Sequence, residues 1–391
     1  MYQKKHIVIT VVATFVVTTL FYLTFGSGLL FHAVVGTQSS TLAKLDKVER
    51  LIDRYYIGDY DKNQMEEFAL TGFMAGVGDD YTAYIGSEEF ENYELMVEGD
   101  YEGIGIEVYL DEDDLITVLS PYDDSPAAKA GILPGDKIIK VDGTDVGIDN
   151  YNEAINMIKT SGNDSVTLTI KRGEETLDIT VKREKITIIN AKSEMLGNIG
   201  YIRISSFEGH ADEQFAACVD AVQNANAKGI IIDLRSNPGG TLDCVTAIAD
   251  RILDSGVILT VRDKNGNEEV YQATDSQKLD LPICVLVNGS TASASEVLAG
   301  ALRDHKKATL VGTKTFGKGV VQSIFQLDDH SMAKITTAKY YTPSGECIHK
   351  VGITPDVELD LPEALSELNI SEIAHKDDVQ LQKAISILNE S

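Results

Sequence analysis

Apolar residues recur at helical spacing near the start of the chain. Between residues 42 and 77 they lie three or four positions apart, which predicts two amphipathic helices. A Gly-Asp-Asp-Tyr turn at residues 78–81 ends the second of them. The stretch that follows, to about residue 185, holds short β-type runs separated by glycine-containing turns. We therefore predict helices followed by a strand-rich domain.

Long apolar runs then alternate with helical patterns. This alternation is typical of an α/β domain in which helices cover a sheet. From residue 362 the pattern is again helical and amphipathic, and its apolar stripe must cover something. The stripe either caps the α/β domain or forms an interface with a second copy of the chain, and we favour the second. The predicted strands and helices are residues 199–204, 212–225, 229–234, 242–253, 283–287 and 294–303.

The first residues predict a membrane anchor. Residues 7–25 hold 19 positions without a charge, and at 1.5 Å per residue they would span about 28 Å, enough to cross a hydrocarbon core. Because Lys4 and Lys5 precede this run, the N-terminus should stay in the cytoplasm and the body should lie outside. We predict a transmembrane segment at residues 7–30. The alternative is a cleaved signal peptide with its small-residue site near residues 34–36.

Composition narrows the range of functions. Acidic residues outnumber basic ones by 61 to 34, so the formal charge is −27 and the body should repel nucleic-acid phosphates. Four scattered cysteines predict neither a disulfide framework nor a zinc site. The carboxylates at residues 111–114 lack the spacing of a calcium loop and predict a hairpin turn. We expect no metal and no cofactor. The histidines have no companion nucleophile motif, so a Ser-His-Asp triad is not expected.

Two glycines lie inside an apolar strand entry at residues 103–106, which read Gly-Ile-Gly-Ile. Because Gly105 has no side chain, backbone N–H groups can approach an anion there, and a bound carboxylate can continue as an added strand. Taken alone, Gly103 and Gly105 would be interpreted as residues that only shape a turn. Together with residues 125–143, they resemble a PDZ domain over residues 93–184. The resemblance implies binding of protein C-termini at Gly103, Ile104, Gly105 and Ile106.

Two further segments carry candidate catalytic groups. Residues 287–302 run from an apolar strand through small residues into a helix, so a serine at the junction lies where backbone N–H groups can stabilise an oxyanion. In residues 312–322, glycines flank Lys318, and burial would lower the pKa of its amine as a general base requires. Gln322, four positions on, would share its face of a strand. Taken alone, each segment is more often close packing or a solvated turn.

Behind a PDZ-like module, these segments resemble the carboxyl-terminal processing peptidases, and the resemblance covers nearly the whole chain from about residue 42. It includes the Gly-Asp-Asp-Tyr-Thr segment at residues 78–82 and the C-terminal tail. The resemblance implies that Ser293, the first serine of Ser-Ala-Ser-Glu, is the nucleophile. It implies Lys318 as the base and Gln322 as the third member of the triad.

A third segment adds an oxyanion site. Residues 229–240 form a buried strand that ends in a glycine turn. In the resembled family this turn faces the nucleophile, which implies Gly239 or Gly240 as one N–H donor and Ala294 as the other. The alternative is a plain turn between a strand and a helix. The aspartate and arginine of this segment are expected to support the turn.

The predicted function is a membrane-anchored serine endopeptidase whose PDZ domain binds substrate C-termini and gates access to the active site. One alternative is a catalytically silent PDZ scaffold. Another is an acyl-CoA enzyme, because the α/β core of the resembled family is similar to the crotonase fold. Predicted partners are protein or peptide substrates, the membrane and a second copy in a homodimer. The fold would be a crotonase-like α/β protease core with an inserted β-rich PDZ domain, helical terminal segments and one transmembrane helix. The predicted domains are a cytoplasmic N-terminus (1–6), a signal anchor (7–30), a helical region (37–92), the PDZ domain (93–184), the peptidase core (185–360) and a C-terminal helical segment (361–391).

Overall fold

The computed structural model describes residues 40–390, apart from residues 123, 160–162, 275–278, 328–329 and 367. The described chain divides into two units, one ending at Phe68 and the other beginning at Ala69. The predicted membrane segment lies outside the described residues. Within the described part of the chain, no helix is long and apolar enough to span a bilayer.

Helices and strands follow one another along the whole described chain. The helices are α1 (Ser40–Tyr55), α2 (Lys62–Ala75), α3 (Ser87–Glu98), α4 (Pro126–Ala130), α5 (Tyr151–Lys159), α6 (Ala211–Asn224), α7 (Leu242–Ile252), α8 (Ala294–Asp304), α9 (Glu363–Ser366) and α10 (Val379–Glu390). The first strands are β1 (Ala83–Ile85), β2 (Asp100–Gly103), β3 (Ile106–Leu110), β4 (Ile116–Pro121), β5 (Lys137–Val141), β6 (Thr144–Asp145), β7 (Ser165–Arg172), β8 (Glu175–Lys182) and β9 (Glu184–Thr187). The later strands are β10 (Ala191–Leu196), β11 (Ile199–Ile204), β12 (Gly229–Asp233), β13 (Gly256–Asp263), β14 (Glu268–Ala273), β15 (Ile283–Val287), β16 (Ala308–Gly312), β17 (Val320–Gln326), β18 (Met332–Tyr341) and β19 (Val357–Glu358).

The β-rich domain is inserted between α3 and the α/β core. Strand β2 pairs antiparallel with β9, so the chain enters and leaves the domain side by side. Between them, one sheet takes the order β3-β4-β5-β7-β8, with β6 on β5. Its apolar core includes Ile116, Ile138 and Leu168, all fully buried, together with Ala154 and Ile158 of α5. The carboxylate run at residues 111–114 forms the hairpin turn between β3 and β4, as predicted.

The α/β core is built on a sheet of order β10-β11-β12-β15-β16-β19. β10 is antiparallel to β11, and the other neighbours run parallel. Every residue of β12 and β15 is buried, as expected for central parallel strands covered on both faces. Helices α6, α7 and α8 cover one face, and α10 covers the other.

A second sheet in this region was not predicted. It takes the order β1-β18-β13-β14, and β17 pairs antiparallel with β18 from Met332 to Lys339. β17 and β18 are mostly half-buried or exposed, so they lack the continuous apolar runs that mark the central strands of the core. β1, which follows the Gly-Asp-Asp-Tyr-Thr segment, pairs with β18.

The C-terminal segment is less continuous than predicted. It contains the short helix α9, a 3₁₀ turn at Ile370–Glu372 and then α10. Leu381, Ala384 and Leu388 of α10 pack on the sheet face that includes Tyr201. The stripe on α10 therefore caps its own domain, which was the alternative to a dimer interface. The homodimer stays a prediction.

Replacing Leu381 by Ala is expected to lower the free energy of unfolding by about 2–5 kcal/mol, because deleting a core side chain leaves a cavity. Leu381 is 0 % exposed, whereas Leu368, just before the 3₁₀ turn, is 42 % exposed. Leu368→Ala should change the stability by less than about 0.5 kcal/mol. Urea titration measures both, and equal losses would contradict the packing of α10 on the sheet.

Candidate active site

The candidate active site lies where three neighbouring parallel strands end. The carboxyl ends of β12, β15 and β16 meet at one edge of the core sheet, which is where open α/β sheets commonly bind ligands. The glycine turn follows β12, Ser293 follows β15, and Lys318 follows β16. Three segments far apart in sequence are thereby brought together.

All six residues predicted for catalysis and oxyanion binding line one cleft of about 760 Å³. Its charged lining residues, within the described part of the chain, are Glu208, Lys318 and Lys334. Apolar side chains from α3, α7, α8 and β17 complete the walls, so the cleft can receive an extended peptide with apolar side chains. The six predicted residues are Ser293, Lys318, Gln322, Gly239, Gly240 and Ala294.

Ser293 lies on a sharp turn between β15 and α8. Its backbone has φ 57° and ψ −119°, an uncommon conformation for a residue other than glycine. Such strain is found at functional sites when the surrounding structure holds it in place. Ser293 is half-buried and directly precedes Ala294, the first residue of the 11-residue helix α8. Its hydroxyl therefore lies at a helix N-terminus, where the helix dipole favours negative charge.

A buried carboxylate joins the Ser293 and Lys318 segments. Glu296, which is 0 % exposed, accepts backbone N–H bonds from Ser293 at 2.9 Å and from Lys318 at 2.8 Å through one oxygen. Its other oxygen accepts the N–H of Gly317 at 2.8 Å and the hydroxyl of Thr315 at 2.6 Å. Burial raises the pKa of this carboxyl, and the four donors act in the opposite direction. Glu296 thus holds the two segments at a fixed separation.

Tyr340 makes a second link between the same two segments. Its buried hydroxyl donates to the backbone carbonyl of Ser293 at 2.9 Å and also contacts the carbonyl of Lys318. The glycines beside Lys318 allow this segment to pack closely against the backbone near His349. A Cβ on Gly319 would lie 2.5 Å from the backbone nitrogen of His349, so no other residue fits there without a shift.

The Lys318 amine lies in surroundings that favour its neutral form. The side chain is half-buried and lines the cleft. Burial lowers the pKa of the amine, and the nearby Lys334 ammonium lowers it further, whereas Glu296 acts in the opposite direction. A lysine with a lowered pKa can accept a proton from a serine hydroxyl.

Gln322 lines the cleft, but it does not share a strand face with Lys318, contrary to the prediction. Lys318 precedes β17, which begins at Val320, so the two side chains do not share a strand face. Gln322 is on β17, and its amide donates to the hydroxyl of Thr336 on β18 at 3.3 Å. A register shift in the β17–β18 ladder falls between Val321 and Gln322.

The glycine turn lies against the Ser293 turn. Gly239 has φ +110°, and a Cβ on it would lie 2.8 Å from the Cβ of Ser293. The N–H of Gly239 donates to the side-chain oxygen of Asn237 at 2.9 Å. In the part of the chain that the structure describes, the N–H groups of Gly240 and Ala294 donate to no acceptor. Two backbone donors therefore remain available for a ligand oxygen.

Buried polar residues that the sequence did not reveal hold these turns together. The backbone carbonyl of Asn237 accepts from Ala292 N–H at 3.0 Å and from the Ser295 hydroxyl at 3.0 Å. Glu296 had a local signal, because an acidic residue three positions after a serine at a helix start is a capping pattern. Tyr340 had none, because Ser293 and Lys318 lie far from it in sequence. The contacts of Asn237 with Ala292 and Ser295 are equally distant.

A buried ion pair at the end of β12 supports the glycine turn that follows it. Arg235 is 1 % exposed and forms ion pairs with Asp233 at 2.6 Å and with Asp378 at 2.7 Å. Burial alone would raise the pKa of Asp233, but the adjacent guanidinium holds it below its usual value. The network ties the end of β12 to the residue before α10. Neither Asp233 nor Arg235 lines the described cleft.

The predicted peptide-binding loop lines a second cavity, of about 390 Å³, between β3 and α5. Gly105 has φ +73°, and a Cβ there would lie 2.6 Å from the Cβ of Ser125. Arg183 holds α5 in place, because its guanidinium donates to carbonyls at the end of that helix. Tyr122 and Ile188 line both this groove and the cleft. The predicted loop residues Gly103, Ile104, Gly105 and Ile106 all line the groove.

Nothing in the described residues suggests a metal centre, since no group of three or more His, Cys, Asp or Glu side chains is placed to hold an ion. The four cysteines are free thiols, and three of them are buried.

Comparison with known proteins identifies the family. The family model of peptidase family S41 matches residues 198–359, and a PDZ domain model matches residues 117–172. The chain is 38% identical over 331 residues to the carboxy-terminal-processing protease of Bartonella bacilliformis, covering 82% of this chain and 75% of that protein. It is 36% identical over 365 residues to the carboxy-terminal processing protease CtpA of Bacillus subtilis, which covers 92% of this chain and 78% of that protein.

A solved S41-family structure from Bacteroides fragilis shares the fold, with a TM-score of 0.54 at 18% identity over 86% of this chain and 93% of that one. The S41 match decides against the acyl-CoA alternative. The inserted β-rich domain contains the residues that match the PDZ model. The chain belongs to the carboxy-terminal-processing serine proteases of peptidase family S41.

Proposed function

We propose that Ser293 is the nucleophile and Lys318 the general base with which this protease cleaves peptide bonds. The neutral amine of Lys318 takes the hydroxyl proton as the oxygen of Ser293 attacks the substrate carbonyl. The resulting ammonium gives that proton to the leaving amine, and a water then hydrolyses the acyl-enzyme with Lys318 again as base. The observation that carries the proposal is the Glu296 carboxylate, which binds the backbone of both residues in one cleft.

The oxyanion of the tetrahedral intermediate is assigned to the N–H groups of Gly240 and Ala294. Both line the cleft, and neither donates elsewhere in the described chain. Gly239 was an equal candidate, but its N–H is bonded to Asn237. Removing one oxyanion donor typically costs about 10²–10³ in kcat. We assign Gln322 the role of limiting the motion of the Lys318 amine, because both residues line the cleft.

Lys318→Ala and Lys318→Arg are both expected to lower kcat for peptide cleavage by at least about 10²–10⁴, because arginine stays protonated and cannot accept the serine proton. Wild-type activity should rise with pH as Lys318 loses its proton. Lys314→Ala is the matched control, since Lys314 is an exposed lysine of the same loop. Casein digestion by the fragment from residue 37 measures the effect. Substantial cleavage by Lys318→Arg would show that another residue is the base.

We also propose that the PDZ groove binds substrate C-termini and that this binding opens the path to the active site. A carboxylate would meet the backbone N–H groups of the loop at residues 103–106, and an apolar side chain would meet Ile155 and Ile158 of α5. Since Tyr122 and Ile188 line both cavities, a chain held in the groove lies beside the cleft. Any shift towards an open form is limited by the ligand's differential affinity for the two forms.

Matched peptides ending in a free acid or an amide test this binding. The amide should be cleaved about tenfold more slowly, because it loses charge-assisted hydrogen bonds. Ile155→Ser should reduce the advantage of an apolar last residue, whereas Ile148→Ser, at an exposed position of the same domain, should not. Substitution of Gly105 is a poor probe, because a Cβ there meets Ser125. Equal rates on acid and amide would reject the gating role.

We further propose that residues 7–30 anchor the protein in the cell membrane with its catalytic body outside the cytoplasm. The uncharged run and the preceding lysines support this orientation. Protease added to spheroplasts should therefore digest the chain beyond residue 37. A body that stays protected until lysis would contradict the proposed orientation.

A further inference from the structure

The Gly-Asp-Asp-Tyr-Thr segment at residues 78–82 has no part in the proposed reaction, yet it lies beside the base. The Nζ of Lys318 is 4.9 Å from the centroid of the Tyr81 ring. A cation within about 6 Å of an aromatic ring face is attracted by the negative potential of that face. The segment therefore supplies a surface that favours the Lys318 ammonium.

The Tyr81 ring is fixed by the residues around it. The next residue, Thr82, is buried; its hydroxyl donates to Asp79 at 2.6 Å and accepts the N–H of Thr336 at 3.1 Å. Strand β1 then pairs with β18, starting with Ala83 opposite Lys334. The ring also makes an edge contact with His349, at 6.4 Å between centroids. Thr336 thus donates its N–H to Thr82 and accepts the Gln322 amide at its hydroxyl, so the segment and the predicted triad are both bonded to this one residue.

We propose that Tyr81 is a positioning residue for the general base, and that its ring face holds the Lys318 amine beside Ser293 and stabilises the ammonium formed during attack. The assignment rests on the proposed function, since it depends on Lys318 being the base. The ring does not touch the substrate in this account. It acts only on the position and the charge of Lys318.

The charged groups described around the Lys318 amine do not themselves hold it in place. Glu296 of α8 faces Lys318, but its oxygens are bonded to backbone N–H groups and to Thr315. From β18, Lys334 repels the ammonium, and the Tyr340 hydroxyl is bonded to backbone carbonyls. Within the described residues no carboxylate forms an ion pair with Lys318. The remaining ionisable groups near the Tyr81 ring are Asp79, Asp80 and His349.

The ring's removal should have two separable effects. Without the ring the ammonium is less stable, so Lys318 gives up its proton at a lower pH. The midpoint of the acid limb in the pH–rate profile therefore shifts to lower pH. The freed amine also spends less time in line with Ser293, so the plateau rate falls. A side chain that only filled space would change stability but would not move the acid limb.

The experiment compares Tyr81→Phe, Tyr81→Leu and Tyr81→Met in the pH profile of kcat/KM on a peptide with a free C-terminus. Phenylalanine keeps the ring face, whereas leucine and methionine fill the volume without it. The acid limb of both ring-less variants should move down by about 0.5–1 pH unit, and their plateau rate should fall about tenfold or more. Tyr81→Phe should keep the wild-type midpoint. Tyr109→Leu, at an exposed tyrosine of β3, is the matched control.

A second readout does not depend on activity. In the Ser293→Ala background, the pH dependence of Lys318 modification by an amine-reactive reagent, mapped by mass spectrometry, reports the protonation of the amine directly. The midpoint should shift down with Tyr81→Leu and Tyr81→Met but not with Tyr81→Phe. Unshifted midpoints in both ring-less variants would overturn the role of Tyr81 alone. Cleavage that persists in Ser293→Ala itself would instead overturn the proposed function.

Discussion

The arrangement of the candidate active site depends on the hydrogen bonds of one buried carboxylate. Glu296 accepts the backbone N–H groups of Ser293, Gly317 and Lys318 and the hydroxyl of Thr315. A buried charge without partners would be strongly destabilising, so the carboxylate and the two chain segments stabilise one another. The spacing of the two backbone segments that carry the proposed nucleophile and base is therefore set by these hydrogen bonds, whereas the position of the Lys318 amine also depends on the side chains around it.

Several other features follow from this constraint. The turn at Ser293 has a strained backbone, and the bonds to Glu296 and Tyr340 hold it in that conformation. The glycines beside Lys318 are needed because the segment packs closely against the backbone near His349. With the backbone fixed, the Lys318 amine is left half-buried in the cleft, where its pKa is lowered. In the proposed mechanism a lysine can therefore serve as the base, without a histidine.

The sequence predicted the parts of this structure that depend on local pattern. The parallel strands of the core appear close to their predicted bounds, and the carboxyl ends of adjacent parallel strands bring Ser293, Lys318 and the glycine turn together. The β17–β18 sheet was missed because its strands are half-exposed and irregular in register. The contact between Tyr81 and Lys318 could not be predicted, since it depends on β1 pairing with β18 across most of the chain. An apolar stripe on a helix does not reveal which surface it covers, as α10 illustrates.

The most direct test of the central role of Glu296 is the rate at which a small fluorophosphonate modifies Ser293 in Glu296→Gln. Each carboxylate oxygen receives at least one backbone N–H, so either orientation of the glutamine amide sets its NH₂ against a backbone donor. The reagent needs the nucleophile and base but no bound substrate tail. With the fold intact, we predict modification at least about 100-fold slower than in the wild type, because small displacements of reacting groups are costly. A rate within about twofold of the wild type would contradict the account.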